Sequence, residues 1–152
     1  MLDRHGALAR YLQPLKGPPP QRNLAKEIPY LGKSLVNWTL FGTNVLRRGE
    51  AARALEILMI VDDTLVHIAR LQAGSTHHWI TSTKNLEHEL PPEAYARFSQ
   101  ATASLDLEEL WKAYSSAWYW GNEMLRALAE ENQAELPVAI MTKLEKSLAQ
   151  FW

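Results

Sequence analysis

Apolar residues recur along this chain at helical spacing. From Ser34, a residue suited to capping, Leu35, Trp38, Thr39, Phe41, Gly42, Val45 and Leu46 form one stripe as far as Arg48, which predicts an amphipathic helix closed by Gly49. Glu50 opens the most apolar segment, running to Ala73, where Leu55, Leu58, Met59, Val61, Leu65, Val66, Ile68, Ala69 and Leu71 cover more than half the circumference. A helix that apolar belongs at the centre of a fold, and Gly74-Ser75 supplies its stop. Residues 75–90 read as a loop and a short helix around Thr83–Leu90, and Pro91-Pro92 suit the first turn of another helix through about Thr102. Asp106 with Glu109 three positions on has the capping-box pattern, and the stripe Leu107, Leu110, Trp111, Tyr114, Ala117, Trp118, Gly121, Met124, Leu125 and Leu128 follows it. Pro137 begins a last helix with Val138, Ile140, Met141, Leu144, Leu148 and Phe151 on its apolar face.

No stretch of useful length alternates as a strand would. The expected fold is therefore all-α, an antiparallel four- to five-helix up-and-down bundle over residues 30–152. The first 29 residues differ: Pro14, Pro18, Pro19, Pro20 and Pro29 crowd there, and three successive prolines favour extended polyproline II over helix. A short stripe of Leu8, Tyr11, Leu12 and Leu15 precedes the run. Residues 1–29 are expected to form an extended proline-rich N-terminal arm.

Composition narrows the function classes. A chain of 152 residues with 47% hydrophobic and 22% charged residues is one ordinary globular domain and not a disordered tail. Sixteen Lys plus Arg against seventeen Asp plus Glu leave a net charge of −1, so no global field argues for nucleic acid or an anionic membrane. The absence of cysteine removes disulfides, thiolate catalysis and zinc fingers, and a reducing, cytoplasmic setting is expected. Neither a leader-like apolar run at the start nor an 18-residue apolar stretch is present, so no membrane span is expected.

Candidate chemistry is sparse. His77-His78 are adjacent and diverge, Asp63 with His67 is one isolated i,i+4 pair, and Asp62-Asp63 point about 100° apart on a helix. No metal site follows, and without a phosphate-binding glycine loop or a nucleophile elbow neither a cofactor nor a catalytic residue is assigned. Three features remain. Arg53, Glu56, Asp63, His67 and Arg70 fall at steps of 3, 7, 4 and 3, one narrow polar stripe that lines a cleft or else forms a salt-bridged face. Trp118 and Trp120 cannot both face one core from one helix, so one of them is expected at a ligand or partner surface. Arg70 and His77, with six residues between them, have the spacing used by helical ribonucleases of the HEPN class, an alternative function.

Trp38-Thr-Leu-Phe-Gly-Thr-Asn44, Leu46-Arg-Arg-Gly-Glu50, Arg53-Ala-Leu-Glu-Ile-Leu58, Leu65 to Gly74 and Trp79-Ile-Thr-Ser-Thr-Lys-Asn-Leu-Glu87 together resemble the C-terminal helical domain of lincosamide-type antibiotic nucleotidyltransferases, which is similar to the kanamycin nucleotidyltransferase bundle. Leu2–Arg10 resembles the segment that ends the catalytic domain of such enzymes, which makes residues 1–29 an interdomain-linker remnant. That catalytic half holds magnesium on a Gly-Ser turn and paired aspartates, whereas here Gly74-Ser75 precedes Thr-His-His-Trp and no Asp-x-Asp occurs. The resemblance implies a non-catalytic, substrate-binding domain. Its cleft residues would be Trp38, Asn44, Arg48 and Glu50, to which the polar stripe adds Arg53, Asp63, His67 and Arg70. Partners implied are a small-molecule ligand, a separate nucleotidyltransferase domain or a second copy in a homodimer; a purely structural interaction module is the further alternative.

Overall fold

A computed structural model describes residues 22–149 together with Arg10. Among these residues the chain is all-helical: α1 (Leu24–Arg47), α2 (Ala51–Gln72), α3 (Leu86–Glu89), α4 (Pro92–Gln100), α5 (Leu107–Asn132) and α6 (Val138–Leu148). The expected helical bundle is observed. The segment holding Pro14 to Pro20 lies outside the described residues, as does Phe151.

The first helix starts eleven residues earlier than its sequence pattern predicts. Asn23 stands at its N-cap position, Ser34 lies well inside it, and Pro29 is accommodated within it. A proline at that point removes only the bond to the carbonyl of Ala25, close to an end where several amides lack partners anyway. Burial offsets that loss, because Ile28 and Leu31 on the same stretch reach the core. The boundary drawn at residue 30 therefore falls inside a helix, and the bundle begins at about residue 24.

The three long helices α1, α2 and α5 pack on one another, with α4 against α5 and α6 against α1. Two glycines permit close approach. A Cβ on Gly42 would lie 2.0 Å from the Tyr114 hydroxyl, which donates a 2.7 Å bond to the Ala54 carbonyl, and a Cβ on Gly121 would lie 2.6 Å from Leu35 Cδ2. The turns between helices follow backbone logic as well. Gly49 and Gly74 take φ of +76° and +66°, and the amides after them, of Glu50 and Ser75, donate five residues back to Val45 and Arg70.

Asp106 caps α5 as expected, its carboxylate accepting from the Glu109 amide at 2.9 Å. Glu109 completes the box through Ser104, accepting from its amide and hydroxyl at 3.2 and 2.6 Å, while the Asp106 amide donates to the same hydroxyl. Trp118 and Trp120 are both buried, at 0% and 4% exposure, and of the two only Trp120 borders the cavities beside α4. Helix α5 is covered on two sides: Trp118 belongs to the central core, and Arg97 of α4 stacks over Trp120 at 5.6 Å.

Candidate functional site

The eight residues expected to line a cleft divide into three groups. Arg70 is the only one that is fully buried. Its Nε donates to the Ser82 carbonyl at 2.7 Å, Nη2 to the Lys84 carbonyl at 2.7 Å, and Nη1 to the Ser75 carbonyl at 3.1 Å, the Ser75 hydroxyl and the Glu89 carboxylate. His78 faces the other Glu89 oxygen at 2.7 Å. The Arg70 hydrogen bond is the main cause holding the Glu89 carboxyl down at about 2, with Ser75 and His78 adding to it. Arg70 is thus the clamp of the loop between α2 and α3 and is no ligand residue. His77 is exposed while Arg70 is sealed inside. A ribonuclease dyad needs both groups in one open cleft, and in this fold Arg70 and His77 do not share one.

A second group sits at the α1–α2 corner. Glu50 accepts from Arg48 Nε at 2.6 Å and from Arg53 Nη1 at 3.4 Å, and the Arg48 bond is the largest influence holding its carboxyl below the usual range. Asn44 accepts from Arg47 Nη1 at 2.7 Å. Arg53 lies 5.5 Å from the Phe41 ring centroid, and Phe41 lies 6.1 Å from that of Trp38. These polar groups stand on the surface, partnered mostly by one another.

The third group encloses space. Trp38, Asp63 and His67 line a groove of about 310 Å³ between α1 and α2, joined by Glu27, Tyr30, Ser34, Ile60, Thr64 and Trp79. His67 is fixed in it: Nδ1 lies 2.7 Å from the Asp63 carbonyl and Nε2 2.9 Å from the Trp79 carbonyl. Its ring meets the Trp79 ring at a centroid distance of 4.4 Å, tilted by 64°. With its two ring nitrogens facing the Asp63 and Trp79 carbonyls, of which a neutral ring donates to one only, His67 presents its ring to the groove beside Trp79. Arg22 stacks on Trp79 at 3.6 Å and pairs with Glu27 at 3.1 Å.

Asp63 is the more open of the two groove carboxylates, with 57% of its side chain exposed against 27% for Glu27. One of its oxygens accepts from the Ser82 hydroxyl at 2.6 Å, while the other lies 3.4 Å from His67. Its neighbour Asp62 turns inward as the helical step requires, and burial raises its carboxyl to about 8. No lysine or arginine lines the groove. Aromatic faces with two carboxylates, Asp63 and Glu27, and two small hydroxyls suit a cationic, hydroxylated guest, because aromatic rings attract cations and a carboxylate supplies the counter-charge.

Glu27, Tyr30 and Trp79 escaped the sequence reading. Tyr30, Ser34 and Trp38 stand at i, i+4 and i+8 on one face, a signal lost once the helix was started at Ser34. Trp79 lies in a loop, where no periodicity places it. Among comparisons with known proteins, a family model described as lincosamide nucleotidyltransferase-like, C-terminal domain matches residues 25–147, most of the chain. None of the curated proteins matches.

Proposed function

Because the chain belongs to the lincosamide nucleotidyltransferase-like C-terminal domain family, we propose that it acts as a ligand-binding domain and performs no nucleotidyl transfer on its own residues. The ligand is a small hydroxylated molecule bearing a protonated amine, held in the α1–α2 groove. The observation that carries this reading is the lining itself: three aromatic side chains, Tyr30, Trp38 and Trp79, with the carboxylates of Asp63 and Glu27 and with no lysine or arginine in the lining. Trp38 and Tyr30 supply the apolar walls, Asp63 pairs with the amine, and Ser34 and Thr64 offer hydroxyls, themselves 3.2 Å apart. The nucleotidyltransferase half, with its paired aspartates, is supplied by a separate domain.

Thermal-shift and calorimetric titration with lincosamides, aminoglycosides and nucleotides tests the reading. An amine-bearing antibiotic is expected to raise the melting temperature, since a ligand that binds only the native state stabilises it. Asp63→Asn and Trp38→Ala should each abolish the shift. No shift with any member of the panel would leave an interaction module in its place.

Exposed apolar side chains flank the groove and favour a protein contact as a second role. Tyr30 and Met59 are each 68% exposed, and Phe41 and Ile60 are 38%. We assign this face to a partner nucleotidyltransferase domain or to a second copy of the chain, because clustered exposed apolar surface marks association sites. Light scattering after size exclusion decides on the homodimer: a monomer at high micromolar concentration would exclude it.

A further inference from the structure

A cavity lined by two cations lies on a different helix pair. Between α4 and α5, Arg97, Gln100, Lys112, Ser115, Ser116, Tyr119 and Trp120 enclose about 380 Å³, the lower part of the range in which small molecules bind. Its lining holds two cations, hydroxyls and an amide, and no carboxylate. In a chain with a net charge of −1, that concentration of donors is a local feature. An adjoining cavity of about 220 Å³ shares Arg97 and Trp120 and adds Ala69, Gln72, Ala73, Pro91, Ala94 and one acid, Glu93.

Both cations keep donors unused by their own acids. Arg97 donates from Nη1 and Nη2 to Glu123 at 3.0 and 2.7 Å, leaving Nε and one hydrogen on each terminal nitrogen. Lys112 donates to Glu108 alone. Neither acid lines the cavity, and their side chains are 65% and 77% exposed. The exposed Lys112–Glu108 pair is weak and exchanges readily for a better anion, whereas the two-pronged Arg97–Glu123 pair is stronger and leaves the remaining guanidinium N–H groups to a ligand. Arg97 is meanwhile held in place by Trp120, buried beneath it at 5.6 Å, so the guanidinium is positioned before any ligand arrives.

We propose that this cavity binds a phosphoryl group, free or at the end of an organic phosphate, between Arg97 and Lys112. The planar guanidinium takes two phosphoryl oxygens, the Lys112 ammonium takes the third as a point charge, and the Ser116 hydroxyl and Gln100 amide donate to the rim. Tyr119, 44% exposed at the mouth, offers a ring face to whatever the phosphate carries. The site is independent of the amine groove, because the two share no lining residue.

Calorimetric and phosphorus-NMR titrations of the full chain with inorganic phosphate and with adenosine 5′-monophosphate, at ionic strength fixed with chloride, test the proposal. Saturable one-site binding is expected, weakened about tenfold or more by Arg97→Gln and by Lys112→Gln, as befits loss of a charged hydrogen bond. Glu123→Gln, which frees the Arg97 fork, should tighten it, an effect no merely structural role predicts. A preference for the nucleotide that Tyr119→Ala removes identifies an organic phosphate; equal affinities identify the free anion. Absence of saturation with both probes, or unchanged affinity in a folded Arg97→Gln or Lys112→Gln variant, overturns the assignment.

Discussion

Replacing Arg70 by methionine keeps most of the aliphatic stem and removes the guanidinium that ties residues 75–89 to α2. The wild-type group donates to three backbone carbonyls, one hydroxyl and the Glu89 carboxylate, and it is completely buried. Breaking a buried charged cluster by deleting one partner costs about 3–5 kcal/mol. Glu89 retains 21% side-chain exposure and can recover water as the loop loosens, which favours the lower end. For a domain of this size about 1 kcal/mol moves the melting point by roughly 2–4 °C, so a fall of about 6–20 °C is expected. Calorimetry measures it, and hydrogen exchange should show the amides of the 75–85 segment opening first. Acid sensitivity changes with it. The Glu89 carboxyl, at about 2 in the fold against an ordinary 4.5, contributes stability that is present above pH 4.5 and lost as pH falls towards 2. Arg70→Met should flatten that acid limb. A melting point within about 2 °C of wild type, with unchanged exchange in the loop, would refute the clamp.

Gly42→Ala should destabilise by about 1–3 kcal/mol or more, because the added methyl meets the Tyr114 ring and displaces its hydroxyl from the Ala54 carbonyl; urea unfolding measures it. Gly121→Ala should cost less, its nearest obstacle being the end of the Leu35 side chain. Asp62, with its carboxyl raised to about 8 by burial from an ordinary 3.8, holds a proton in the fold that the unfolded chain releases. Stability should therefore decline as pH rises from about 4 to about 8, and Asp62→Asn should remove that decline in pH-dependent melting curves. Asp106→Ala should lower stability by about 1 kcal/mol through loss of the cap on the Glu109 amide, again read by urea unfolding.

The fold was legible where local chemistry and burial agree. Gly49, Gly74, Pro92, Asp106 and Pro137 mark helix ends in the sequence, and helices begin or end beside each of them. The start of α1 was not legible, because a local reading weighs Pro29 against the helix and cannot see that Ile28 and Leu31 gain a core. Burial of a whole stripe outweighs one missing amide bond. Nor was the cover over Trp120 legible. Its position on the flank of the α5 stripe reads as exposed only if α5 has one covered side, and α4 provides the second.

The candidate site was legible in part for a related reason. Periodicity assigns residues to a helix face but does not say which part of the face is open. Along the stripe of α2, Arg53 and Asp63 are exposed, His67 is half covered and Arg70 is sealed beneath the following loop. The difference is made by residues 75–89, which have no period of their own and are ordered by Arg70 itself. That loop also carries Trp79 and Ser82 to His67 and Asp63. Arg70, expected from the polar stripe to line a cleft, is therefore the residue that builds the groove's wall, and its effect on binding should pass through Trp79. Arg70→Met should weaken amine binding only as far as it releases the loop, whereas Asp63→Asn should weaken it with the loop intact.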